Sequence, residues 1–198
     1  MKALPALAAT LMLCAGPAAR LAVAAPPQAV IRMPQQAGRG ACVGDGTGYL
    51  RARIRGALNL DLNWKDAGLT CAGEARPDGS GLRLSFAGPG PGGRVLRLVF
   101  GVRAAREGAP GRELPTNLTV LLDGGRMFAT RGDDRCTTDR LSQRLLPATT
   151  GPDASSVRAW RIEARGFCVA PAGAVTGPGR ILVSRFDFAG RIEFAGRG

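Results

Sequence analysis

Apolar and polar residues alternate along the chain from Tyr49 onward. Leu50, Ala52 and Ile54 are each separated from the next by an arginine. Residues 58–64 repeat the alternation without a fault. A repeat of two residues is typical of a β-strand that has one face in the core and the other in solvent. The pattern therefore predicts two consecutive strands in this part of the chain.

Further runs predict later strands. The alternating or apolar candidates are residues 82–86, 95–102, 118–122, 126–130, 160–168, 181–188 and 192–194. Residues 95–102 are apolar at nearly every position, which predicts a central strand covered on both faces. Asp123-Gly124-Gly125 indicates a hairpin turn, because glycine accepts the positive φ angles that a tight turn requires. Gly190 is expected to separate the last two strands.

These runs define the expected fold class. No segment shows an apolar stripe of helical period, and residues 135–145, the best helix candidate, lack one as well. The spacing predicts an all-β fold of roughly nine strands, an antiparallel sandwich or partly closed barrel. A membrane-spanning barrel is the structural alternative, and the aromatic girdles typical of that class are missing, since aromatic residues are only 5% of the chain.

The first residues resemble a secretion signal. Lys2 is followed by an apolar run from Ala3 to Ala15, and then by the small residues Ala22-Val23-Ala24. This order is typical of a signal peptide, and the run is shorter than the ~20 residues that span a bilayer. We therefore expect a signal peptide at residues 1–24, an extended lead-in at 25–45 and a single β domain at 46–198. The expected location is periplasmic or secreted, with no transmembrane segment after cleavage.

The cysteines agree with export. Cleavage would remove Cys14 and leave Cys42, Cys71, Cys136 and Cys168, an even number that predicts two disulfides in an exported chain. A zinc site is the alternative, but it favours close cysteine pairs and usually histidine, which is absent. A hairpin folded about residues 146–155 would bring Cys136 opposite Cys168, at a distance suited to a disulfide. Cys42 would then pair with Cys71.

The charge of the chain is strongly positive. The formal net charge is +12, and removal of Lys2 and Arg20 leaves 25 basic against 15 acidic residues. Nearly all of the positive charge is arginine, whose forked guanidinium binds carboxylates and phosphates. An anionic partner is therefore one interpretation. The other is compositional, because a chain rich in Ala, Gly, Arg and Pro and poor in Lys is typical of a GC-rich genome.

Catalytic chemistry is restricted by the absence of histidine. Ser-His-Asp and Cys-His mechanisms are excluded, and so is the usual general base at neutral pH. A carboxylate pair of the kind used by glycosidases remains open. The candidate acids are Asp61, Asp66, Asp133, Asp134, Asp139 and Asp187. Their spacing matches no catalytic or calcium-binding motif, so we expect no enzymatic activity, no cofactor and no metal.

Arginines on strand faces are the candidate binding residues. Arg51, Arg53 and Arg55 share the outward face of one predicted strand, and Arg161 and Arg165 that of another. Such a face spaces guanidinium groups about 7 Å apart, which suits a polyanion. The alternative is a solvated face with acidic partners across the strands. Nucleic acid is not expected, since aromatic stacking residues are rare.

The function itself stays open at this level. The leading hypothesis is an exported, non-catalytic β domain that binds an anionic envelope component through surface arginines. A carboxylate-based hydrolase on a β scaffold is the first alternative. A structural or assembly subunit of the cell envelope is the second.

Overall fold

A computed structural model describes residues 42–147 and 157–195. The predicted signal peptide (1–24) lies outside the described residues, and so do most of the predicted lead-in and most of the predicted loop 146–155. The described end of the lead-in, residues 42–45, begins a turn in which the Gly46 amide donates to the Val43 carbonyl at 2.8 Å. Val43 in this turn is fully buried.

The predicted all-β class is confirmed, with eleven strands in the described residues rather than roughly nine. The strands are β1 (Tyr49–Gly56), β2 (Leu60–Lys65), β3 (Thr70–Ala75), β4 (Gly81–Pro89), β5 (Val95–Arg103), β6 (Gly111–Leu122), β7 (Arg126–Ala129), β8 (Cys136–Leu145), β9 (Val157–Cys168), β10 (Ala172–Ala174) and β11 (Arg180–Ala195). The alternation in β1 has the predicted effect, since its three apolar residues are buried and its arginines face outward.

Strand pairing forms a nearly closed circuit. β11 pairs with β1 on one edge and with β9 on the other, and β9 pairs with β8. From β8 the ladder continues antiparallel through β6, β5 and β4 to β3. β3 meets β11 again through one parallel pair, Glu74 and Glu193. A single pair is not a full ladder, so the sheet is only partly closed and is not a clean barrel.

Two shorter strands complete the sheet beside this circuit. β7 pairs with the end of β6, and β10 joins β7 to the start of β11. β2 pairs with β1 and forms an edge of the described sheet. β11 is therefore the strand on which the rest of the sheet is organised, and it contacts the strands that carry the predicted arginines.

The core is built around a cluster of four fully buried phenylalanines, Phe86, Phe100, Phe186 and Phe188. The Phe100 ring centroid lies 4.9 Å from those of Phe186 and Phe188 and 6.2 Å from that of Phe86. These rings come from β4, β5 and β11, so the cluster connects the two sides of the circuit. Leucine, isoleucine and valine side chains from most of the strands surround it.

Residues 135–145 contain strand β8, which is hydrogen-bonded to β6 and β9, in agreement with their lack of a helical apolar stripe. Two expectations about other strands are wrong. The strands predicted on either side of Gly190 are one continuous strand. A Cβ at Gly190 would lie 2.8 Å from the Phe86 ring, so this glycine permits close packing and does not break the strand. The outward face of β5 is only partly covered, since Val95 and Arg97 are exposed, whereas Val99 is half-buried and Gly101 is buried.

Both predicted disulfides are confirmed. Cys136 bonds to Cys168, and the two residues are direct partners in the β8–β9 ladder, as the hairpin argument requires. Cys42 bonds to Cys71 at the start of β3. Two disulfides indicate a non-reducing environment of the extracellular type.

Candidate functional site

The three predicted arginines of β1 face outward and are at least partly exposed, but each has an acidic neighbour. Arg53 and Arg55 both contact Asp61 on β2, at 3.2 and 2.8 Å. Arg51 lies 3.8 Å from Asp187 on β11, and its guanidinium also lies over the Tyr49 ring. The alternative of a solvated face with cross-strand acids thus accounts for Arg53 and Arg55.

Arg161 does not belong to an exposed face. Arg161 is only 8% exposed, because the turn before β1 folds over it. Its guanidinium contacts Glu163 at 2.8 Å and Asp45 at 3.8 Å, and it donates to the Thr47 hydroxyl. The prediction that Arg161 is an outward binding residue is therefore corrected: it anchors the turn at residues 45–47 to β9.

Arg165 is brought close to Arg51, although the two residues are far apart in sequence. β11 lies between their strands, and Asp187 is the direct partner of Arg51 on one side and of Arg165 on the other. Arg165 is exposed and forms an ion pair with Asp139 at 3.3 Å. Two of the predicted binding residues therefore flank one aspartate across three adjacent strands.

Arg185 is a residue of this site that the sequence reasoning missed. It lies on the outward side of β11, directly opposite Arg53 in the β1–β11 ladder. A one-residue bulge places Ser184 and Arg185 consecutively in exposed positions, between the buried Val183 and Phe186. Arg185 forms no ion pair with any residue in the described ranges 42–147 and 157–195. A sequence signal did exist, since Arg185 and Asp187 alternate with Phe186 and Phe188.

These residues line a cleft of about 570 Å³ on the outer face of the sheet, which we name the arginine cleft. The residues that line it are Arg51, Asp139, Arg165, Gly166, Phe167, Ser184, Arg185, Phe186 and Asp187. Three guanidinium groups thus face two carboxylates, so the cleft carries a net positive charge. Phe167, at one side, is 43% exposed.

Tyr49 holds the central carboxylate in position. Its hydroxyl donates to Asp187 Oδ1 at 2.8 Å. Partial burial, together with the neighbouring Asp187 carboxylate, raises the pKa of Tyr49 to about 12. Tyr49 therefore remains a hydrogen-bond donor at all physiological pH values, and one lone pair of Asp187 is permanently occupied.

Of the six candidate carboxylates of a hydrolase, Asp139 and Asp187 line the arginine cleft, and Asp61, Asp66 and Asp133 are engaged outside it. Asp133 accepts from Arg76 at 2.9 Å, and this bond holds the pKa of Asp133 below its usual value. The hydrogen bond from Arg55 lowers the pKa of Asp61 in the same way. A carboxyl group that acts as a general acid at neutral pH needs a raised pKa. The pKa values of Asp133 and Asp61 are lowered, so neither group suits that role. Asp66 is buried and accepts from the Val43 and Gly48 amides, both at 3.1 Å.

A second, smaller depression of about 330 Å³ lies on the outward side of β4, β5, β6 and β7. Half of its lining is apolar or glycine, and the other half is polar: Val99, Gly101, Leu121 and Met127, with Arg76, Arg83, Asn117 and Thr119. None of the predicted binding residues reaches it. Within the described part of the chain, no cluster of three or more metal-ligating side chains is present.

Comparison with known proteins finds no match: no family model, no curated protein and no solved structure is similar to this chain. Among the residues that the structure describes, no helix has the length and apolar character needed to cross a membrane.

Proposed function

We propose that the protein is an exported, non-catalytic β domain that binds an anionic component of the cell envelope in the arginine cleft. The observation that carries this proposal is the position of Arg185. It is exposed, directly opposite Arg53, and without an acidic partner among the described residues. Like charges directly opposite each other across two strands destabilise a sheet. Asp61 offsets the charge of Arg53, and a bound anion would offset the charge of Arg185.

The remaining groups of the cleft suit such a ligand. Arg51 and Arg165 lie on either side of Asp187, and both side chains are exposed. Guanidinium groups bind phosphate and carboxylate oxygens through two parallel hydrogen bonds. The Ser184 hydroxyl lines the same cleft and can donate a further bond. The ligand we propose is therefore an anion held by several charged donors at once.

The proposed location is the periplasm or the external medium. Two disulfides support a non-reducing compartment, and the signal-like pattern at residues 1–24 supports export. We expect the exported protein to begin at Ala25. Amino-terminal sequencing of protein purified from the envelope fraction of its own host tests this expectation. An intact Met1, or a first residue far from 25, would contradict it.

Anion binding is expected to depend on the arginines of the cleft and on ionic strength. Replacing Arg51, Arg165 and Arg185 with serine should raise the dissociation constant for soluble polyphosphate on the order of a hundredfold, at about fivefold per arginine. Added salt should weaken binding to the original protein, because exposed charges are screened beyond ~8 Å at physiological ionic strength. Isothermal titration calorimetry measures both effects.

The matched control removes three other arginines. Arg94, Arg97 and Arg126 are exposed, lie outside the cleft and form no ion pair in the described residues. Their replacement with serine lowers the net charge by the same amount and should leave polyphosphate binding nearly unchanged. An equal loss in both triple variants would show that net charge alone attracts the anion, and the proposed site would be wrong.

A further inference from the structure

The outward face of β9 changes from charged to apolar at the arginine cleft. Glu163 and Arg165 are followed on this face by Phe167 and then by Val169, which comes directly after the strand. Phe167 is 43% exposed and Val169 is 68% exposed. The Val169 amide donates to the Arg135 carbonyl at 2.9 Å, so the backbone at Val169 is still held beside the strand pair. Alternate residues of a strand lie about 7 Å apart.

Exposed large apolar residues are few in the described part of the chain. They are Val95, Leu145, Val157, Phe167, Val169 and Val175. Two of the six occupy successive outward positions next to the cleft, and one of those, Phe167, lines the cleft itself. We name Phe167 and Val169 the apolar strip. Its position makes one surface that is cationic at Arg165 and Arg185 and apolar immediately beside them.

We propose that the ligand of the arginine cleft is an anionic amphiphile, with its acidic headgroup among the guanidinium groups and its hydrocarbon chain along the apolar strip. This inference rests on the proposed function and names the chemical class of its ligand. A purely hydrophilic polyanion would use the arginines and leave Phe167 and Val169 in water. An amphiphile covers both, and burial of its chain against them adds a favourable hydrophobic contribution.

The length of the chain is the variable that tests the inference. Ethyl, butyl, hexyl and octyl phosphate share one headgroup, and each can be titrated below the concentration at which it forms micelles. Full burial of one methylene group strengthens binding about fourfold. Contact with an open strip should contribute about half of that free energy, which is about a twofold gain in affinity per methylene group. Octyl phosphate should therefore bind on the order of ten times more tightly than butyl phosphate. Isothermal titration calorimetry measures this series.

Substitutions separate the two parts of the site. Val169→Ser and Phe167→Ser should each remove most of the gain in affinity with chain length. Val169 is not part of the cleft lining, so Val169→Ser should also leave ethyl phosphate binding unchanged. Val175→Ser is the matched control, because Val175 is also exposed but lies outside the cleft. The Val175→Ser variant should keep the full gain in affinity with chain length. Arg185→Ser should weaken every member of the series by a similar factor.

The outcomes distinguish this inference from the proposed function. Equal affinity for all chain lengths, lowered by Arg185→Ser, would overturn the amphiphile and leave anion binding in place. A gain with chain length that persists in both strip variants would also overturn the inference. Absence of binding to every phosphate, including polyphosphate, would overturn the proposed function, and the inference with it.

Two sources could present such a ligand, a bilayer lipid or a dispersed amphiphile. Co-sedimentation with vesicles that contain phosphatidic acid, compared with vesicles of phosphatidylcholine alone, separates them. Retention by the phosphatidic acid vesicles, sensitive to Arg185→Ser and Val169→Ser, supports the inference with a lipid as ligand. Tight binding of octyl phosphate without vesicle retention supports it with a dispersed amphiphile.

Discussion

Replacing both Cys136 and Cys168 with alanine is expected to lower the free energy of unfolding by ~3 to 4 kcal/mol. The two cysteines are 32 residues apart in sequence, and the chain-entropy estimate for a loop of that size gives this value. The Cys42–Cys71 bridge closes a separate loop of similar size, with a separation of 29 residues. The two loops do not overlap, so the effects of removing both bridges should add.

Urea denaturation of the two double variants and of the quadruple variant measures these free energies. Each double variant should melt on the order of 10 °C lower than the original protein. The quadruple variant should approach the limit of folding, because small domains are stable by only about 5–15 kcal/mol. Addition of a reductant to the original protein is the control and should reproduce the quadruple variant. Loss of stability below ~1 kcal/mol in either double variant would contradict the loop-closure argument.

Phe100→Ala is expected to destabilise the domain by about 3–5 kcal/mol, the usual range for truncation of a buried aromatic residue. Phe100 is fully buried and contacts three other rings, of which Phe186 and Phe188 lie 4.9 Å away between centroids. Favourable ring pairs add about 0.5–1.5 kcal/mol each beyond area burial, so the upper part of that range is expected. Thermal and urea unfolding of the purified variant measure the loss.

The matched control for that substitution is Phe167→Ala. The chemical change is identical, but Phe167 is 43% exposed and lies outside the phenylalanine cluster. Surface substitutions of this kind usually change stability by less than about 0.5 kcal/mol. If the two variants were equally stable, the cluster around Phe100 would not be the centre of the core.

Local patterns were sufficient for the features that depend on neighbouring residues. Alternation assigned the inward and outward positions of β1, since the face of a strand is a property of its own sequence. The Cys136–Cys168 pairing followed from one hairpin, because its two strands are consecutive in the chain. In the first case the information lies within one strand, and in the second it lies in two strands that follow each other in the chain.

Long-range pairing could not be read in the same way. Arg51 and Arg165 were both expected to face outward, and only the insertion of β11 between their strands places them around Asp187. β8 shows that the length of a strand also depends on its neighbours, since β6 and β9 on either side hold residues 136–145 in one strand.

Arg161 illustrates a different limit. Its alternation assigns it to the outward face, as it does for Arg165. The turn at residues 45–47 then covers Arg161, and this turn lies more than a hundred residues away in sequence, since the contact between Arg161 and Thr47 spans 114 positions. Periodicity reports the side of a strand on which a residue lies. It does not report whether another segment folds over that side.

The bulge at Ser184 affects how this chain should be compared with any relative. Inward positions fall at Ile181 and Val183 before the bulge, and at Phe186 and Phe188 after it. The two halves of β11 are thus out of phase by one residue. An alignment that allows no unmatched residue here would exchange core and surface positions over one half of the strand. Arg185 would then be aligned with a core residue of the relative. A gap opposite Ser184 avoids this error and keeps Arg185 aligned with surface positions.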